Sequence, residues 1–181
     1  MTRLFKYVLA CAAVVLGLSG CAAPEVTDYR NEKPELDLVR FFEGKTHAWG
    51  MFQKRSGEVV KRFHVEIDGQ WKDNKLILDE HFTYSDGTKE QRVWTLEKES
   101  QGRWTGTAGD VVGMAQGELS GNAFQWKYTL ALPVDGSIYH VQFDDWMFLM
   151  DDNTMINRAS MSKFGIELGQ VTLFFQKEAQ P

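Results

Sequence analysis

The stretch Phe124-Gln125-Trp126-Lys127-Tyr128-Thr129-Leu130-Ala131-Leu132 decides the fold class. Side chains of an extended chain alternate between two faces, so Phe124, Trp126, Tyr128, Leu130 and Leu132 share one side. Gln125, Lys127 and Thr129 take the other, which is the signature of a half-buried strand. Similar runs occur at about 46–54, 58–70, 75–84, 89–98, 102–107, 138–150, 154–164 and 170–177. Turn residues separate them: Arg55-Ser56-Gly57, Asp73-Asn74, Ser85-Asp86-Gly87, Gln101-Gly102, Ser120-Gly121-Asn122, Asp135-Gly136 and Asp152-Asn153. Eight to ten short strands predict an all-β domain over 35–181, an antiparallel barrel or sandwich, and the brief connections favour an up-and-down meander over Greek-key crossings. Gly109, Gly113, Gly117 and Gly121 stand four apart among polar residues and read as flexible turns and a weak strand.

Ahead of the strands, Leu36, Val39, Phe41 and Phe42 suit a short helical segment that Gly44 ends. Further upstream, Arg3 and Lys6 precede an almost wholly apolar run from Tyr7 to Leu18. At about a dozen residues it falls short of the roughly 20 a spanning helix needs, and it has the layout of a secretory signal peptide over 1–20. Leu18-Ser19-Gly20-Cys21 resembles a bacterial lipobox, which implies cleavage before Cys21 and its acylation as a membrane anchor. Several acyl chains, each contributing about 0.8 kcal/mol per buried CH₂, hold a protein near-permanently. By resemblance to Gram-negative lipoproteins, Ala22 in place of an aspartate implies the periplasmic face of the outer membrane. The polar segment that follows, within 21–34 and bounded by Pro24 and Pro34, reads as a tether.

The 161 residues after the signal suit one domain able to bury a proper core. Cys11 leaves with the signal and Cys21 is the acylation site, so the domain has no disulfide, thiol nucleophile or cysteine metal site. The net charge of −5 becomes −7 once the two signal bases are removed. An acidic chain without a basic cluster is a poor candidate for nucleic acid or for an anionic membrane surface. Six Trp and 12 Phe imply either a heavily aromatic core or a lined cavity.

Phe41-Phe42-Glu43-Gly44 followed by Trp49-Gly50 is similar to the start of lipocalin-type barrels. The resemblance implies a helical segment leading through glycine to a tryptophan that plugs one end. Barrels of about eight strands hold one small ligand. The C-terminal third, from Phe143-Asp144-Asp145-Trp146 through Asn157-Arg158 and Met161-Ser162-Lys163-Phe164-Gly165 to Val171-Thr172-Leu173-Phe174-Phe175, resembles an uncharacterised family of Gram-negative lipoproteins, domain of unknown function 3833. That resemblance implies fold and location and no activity.

A turn at Asp152-Asn153 sets Met150 opposite Met155. Trp146, Phe148, Met150, Met155, Ala159 and Met161 then gather on one face with Asp144 and Asn157, while Arg158 lies diagonal to Asp145 as a structural pair. Two readings share this geometry. In one the apolar face is core. In the other it is a cavity wall on which flexible methionines adapt to a ligand, with Asp144 or Asn157 orienting its head group. Candidate ligand-binding residues are therefore Asp144, Trp146, Phe148, Met150, Met155, Asn157 and Met161, and the expected ligand is a fatty acid or lipid.

Signals for catalysis are weak. Ser160-Met161-Ser162-Lys163 has the S-x-x-K spacing of penicillin-binding enzymes but lies in a strand pattern without companion motifs. His47, His64, His81 and His140 fall on different strands, and a barrel could bring two or three together or present one to a haem iron. Scattered histidines are more often surface or core residues, so a haem-binding barrel stands as a minor alternative. Asp151-Asp152-Asn153 lacks calcium-loop spacing. No cofactor is expected. The leading expectation is a lipid carrier, followed by a filled structural barrel and by an enzyme using an interior carboxylate.

Overall fold

The computed structural model describes residues 23–100 and 102–178. The signal segment and Cys21 lie outside the described residues. A single turn of 3-10 helix, η1 (Val26–Tyr29), precedes a short helix, α1 (Leu38–Phe42). Ten strands follow: β1 (Gly44–Lys54), β2 (Val59–Lys72), β3 (Lys75–Tyr84), β4 (Lys89–Lys98), β5 (Arg103–Thr107), β6 (Ala115–Ser120), β7 (Ala123–Val134), β8 (Ser137–Leu149), β9 (Thr154–Lys163) and β10 (Ile166–Lys177). Each pairs antiparallel with the next, and β1 pairs with β10 to close the barrel. The up-and-down meander expected from the short turns is the observed topology. Within the glycine-spaced stretch, residues 115–120 form the full strand β6.

That stretch needs its glycines for room. A Cβ on Gly117 would stand 2.4 Å from the Trp126 ring, and one on Gly106 would stand 2.9 Å from the same indole. The small residues thus let a buried tryptophan lie flat across β5 and β6.

Helix α1 closes one end. Asp37 caps it by accepting from the Val39 and Arg40 amides at 2.9 and 3.1 Å. Leu38, Phe41 and Phe42 are buried, and Phe42 meets Phe175 edge-on at 5.9 Å. Lys177 Nζ donates to the Phe41 carbonyl at 2.9 Å, tying the last strand to the plug. Gly44, at φ 90, turns the chain from helix into β1. Trp49 is not the plug its position in the sequence suggested. It is half exposed on the outer wall, because the interior parity of β1 belongs to Thr46 and Ala48. The phenylalanines of α1 fill the end instead.

The described part of the expected tether is seated on the barrel. Tyr29 packs edge-on against Trp146 and Phe148 at 5.9 and 5.1 Å, and the Leu36 amide donates to the Gly121 carbonyl at 2.9 Å. Gly121 lies so close to the Tyr29 carbonyl that a Cβ there would sit 1.8 Å from its oxygen. Residues 23–27 continue up the outer wall beside Lys127 and Asp144, toward the end opposite the plug.

Candidate binding cavity

The hairpin singled out from sequence is present, with its register one residue away from the expected one. Leu149, not Met150, stands opposite Met155, and Met147, Asp145 and Phe143 face Asn157, Ala159 and Met161. The Met150 amide donates to the Thr154 carbonyl at 2.9 Å, and Asp151 accepts from the Asn153 amide at 2.9 Å. The loop therefore spans an odd number of residues, which exchanges the two faces of β8. Asp144, Trp146, Phe148 and Met150 point outward. Asp144 accepts from Gln125 at 2.7 Å, Trp146 and Phe148 lie under Tyr29, and Met150 is exposed in the turn. Met155, Asn157 and Met161 keep the interior face expected of them, and Asp145 joins them there.

The slip also removes the Asp145–Arg158 pair. Asp145 is buried and accepts from Asn157 Nδ2 at 3.5 Å, whereas Arg158 is on the outer wall, donating to Gln170 at 3.1 Å.

Inside the barrel is a cavity of about 940 Å³, open toward the end opposite α1. Its floor is apolar, from Leu38, Phe42, Leu78, Leu96, Phe124 and Phe175, and its upper wall carries Phe63, Leu130, Leu132, Phe143 and Met161. A charged belt crosses one side between them. Glu80 and Arg92 face each other across β3 and β4. Arg92 Nη2 and Nε reach one Asp110 oxygen at 2.7 and 2.9 Å, and the guanidinium lies 5.5 Å from the Phe82 ring centre. Tyr128, stacked on Phe143 at 5.1 Å, and the Asp145–Asn157 pair complete the belt.

Enclosure sets the charge state of this belt. Burial raises the Glu80 carboxyl to about 7 against the pull of Arg92, with Asp110 and Asp79 adding repulsion. Asp145 also rises to about 7, mainly through burial, with the Asn157 hydrogen bond opposing and Asp144 reinforcing. Burial and then Asp145 hold the Tyr128 phenol well above its usual range, hence neutral. Burial works against the Arg92 charge, but Glu80, Tyr128 and Asp110 more than offset it. One oxygen each of Asp110, Asp145 and Asn157 is buried without a hydrogen-bond partner in the chain.

Sequence reasoning passed over Glu80, Arg92, Asp110 and Tyr128 as site residues. A signal for the first two was available. Glu80 shares parity with Leu76, Leu78 and Phe82, and Arg92 with Trp94 and Leu96, so each strand puts a charge on its apolar face.

Other candidates fall elsewhere. His47 and His64 come within 3.2 Å, but on the outer wall, where His64 meets the Trp49 ring and His47 contacts Glu178 at 2.6 Å. Among the described residues no group of three or more His, Cys, Asp or Glu is arranged to hold a metal ion. Ser160 and Lys163 are on strand β9, away from any helix.

Closed antiparallel topology, a helical plug and an apolar cavity define the class: a ten-stranded lipocalin-like barrel. The chain belongs to the family described as "Protein of unknown function (DUF3833)", whose model matches residues 15–177. No curated protein matches it. Among solved structures, the S-type phycobiliprotein lyase CPES from Guillardia theta superposes with a TM-score of 0.61 at 6% identity, covering 87% of this chain and 100% of its own. A de novo designed fluorescence-activating β-barrel follows at TM-score 0.43 and 12% identity, covering 79% of this chain and 99% of its own. The protein EF1p2_mFAP2b bound to DFHBI gives 0.41 at 10% identity, with coverage of 78% and 100%. At these identities the first likeness is one of fold.

Proposed function

We propose that the barrel binds one lipid-like amphiphile, its acyl chain on the apolar walls and its head group at the Glu80–Arg92–Asp145 belt. The observation that carries this reading is the cavity itself. Its volume of about 940 Å³ lies within the roughly 300–1,000 Å³ usual for small-molecule sites, and a filled structural barrel would leave no such space. The buried acceptors on Asp110, Asp145 and Asn157 have no partner within the chain, so they suit a head group that donates hydrogen bonds. A free fatty acid qualifies in its protonated form, when Arg92 and Asp110 remain paired.

In the same proposal the protein is an outer-membrane lipoprotein on the periplasmic face, held by acylated Cys21. Only Ala22 lies between Cys21 and seated Ala23, a span of about 7 Å when fully extended. An anchor that short keeps the barrel on the membrane surface, where lipid is the abundant ligand.

Native mass spectrometry of the full chain, purified gently from a Gram-negative envelope, tests the binding. A co-purifying species of a few hundred daltons, released on denaturation, is the expected result. A bare mass with no uptake from a lipid extract would reject the carrier.

A second reading, chemistry by the interior carboxylates, is favoured by two acids raised to about 7 in one cavity. It predicts turnover of a bound lipid that Asp145→Asn abolishes while binding persists.

A further inference from the structure

We propose that the barrel docks mouth-first on an anionic lipid surface, through the tips of the β1–β2, β7–β8 and β9–β10 hairpins. These three hairpins are consecutive around the closed sheet, so their tips form one continuous arc of the rim. Eight of the fifteen exposed large apolar side chains among the described residues lie on this arc, with Val59, Val60, Ile138, Phe164, Ile166 and Leu168 prominent. Beyond β2 the next tip, Ser85-Asp86-Gly87-Thr88, carries none of them, while on the other side the β5–β6 connection adds Val112 and Met114.

Phe164 is the sharpest case. Other tight turns of the chain use Asp73-Asn74 or Asp135-Gly136, whose residues accept positive φ readily. Here Phe164 occupies the left-handed region at φ 53, where a bulky side chain is a true outlier, and its ring is 89% exposed. Backbone strain and an apolar ring in water coincide at one residue, a combination that points to a ring meant to leave water.

Charge selects the occupant. The arc carries Lys54, Arg55, Lys61, Arg62 and Lys163 against three acids, in a chain whose net charge is −5. Apolar tips flanked by basic side chains match a bilayer interface with anionic head groups. The N-terminal segment agrees in direction, since residues 23–27 climb the wall toward this end. The cavity opens at the same end, bordered by Lys61, Tyr84 and Pro133, so a docked rim would let a lipid pass between bilayer and cavity without crossing water. Docking itself does not depend on the cavity being occupied.

Orientation is the readout. The full chain carrying Cys11→Ser and Cys21→Ser takes a single bimane label at Glu167→Cys on the rim, or at Asp152→Cys at the plugged end. Each variant is added at equal concentration to vesicles of phosphatidylethanolamine and phosphatidylglycerol with brominated acyl chains. We expect quenching at 167 about threefold or more above that at 152. Phe164→Asp combined with Ile166→Asp should abolish the difference. Quenching at 167 no greater than at 152, as a protein partner or second copy on the rim would give, overturns the proposal. So does a difference that the double substitution leaves unchanged.

Discussion

Asp145 shows how one carboxyl can link the stability of this barrel to pH. Its pKa, raised from 3.8 to about 7, means that the folded protein binds a proton there more tightly than the unfolded chain does. Stability from this group is full below its unfolded value and is lost as pH rises through about 7. Glu80, raised from 4.5 to about 7, acts in the same direction. Melting temperature should therefore fall between pH 5 and pH 8, and Asp145→Asn should flatten that fall, which thermal unfolding at the two pH values would measure. An unchanged slope in the variant would show that burial does not hold the proton. The same titration bears on the ligand: a fatty acid, which fits the belt in its protonated form, should bind more tightly at pH 6 than at pH 8, because Glu80 and Asp145 then also carry less negative charge.

Between elements, packing rather than pattern decides the outcome. A methyl group at Gly117 would meet Trp126 at 2.4 Å and the Gln125 carbonyl at 2.7 Å, so Gly117→Ala should cost about 1–3 kcal/mol in denaturant unfolding. Phe42→Ala would open the plugged end and should cost about 3–5 kcal/mol by the same measurement. Most strand positions were legible in sequence because one face of each is apolar and the other is wet. The faces of β8 were not legible, because Phe143, Met147 and Leu149 on one parity match Trp146, Phe148 and Met150 on the other. That degeneracy has a cause in the fold: Tyr29 covers the outer face, so neither side of the strand's lower half is left to solvent. Periodicity carries little information where one face is buried and the other half-covered by apolar contacts, and the odd-membered loop then reversed the assignment of Asp144 and Asp145. Glu80 and Arg92 were hidden differently, since each looks like an ordinary surface charge until strand parity is counted.

At the scale of the whole molecule, the seated N-terminal segment makes the barrel and its leader one body from Ala23 onward. Tyr29→Ala should therefore expose Trp146 and Phe148 and lower stability by about 1–3 kcal/mol, given the worth of two aromatic contacts. If the segment were a loose tether, the variant would melt like the parent. The seam between β1 and β10 has a different consequence, one of timing. Thr46 pairs with Lys177, so the first strand waits for the last before either has both its neighbours. Until β10 arrives, β1 presents an unpaired edge and the plug lacks Phe175 beneath it. Closure over so long a loop is slow compared with hairpin formation. Under the proposed export across a membrane from its N-terminus, the chain would remain an open, adhesive sheet until nearly all of it had emerged, and would need shielding during that interval.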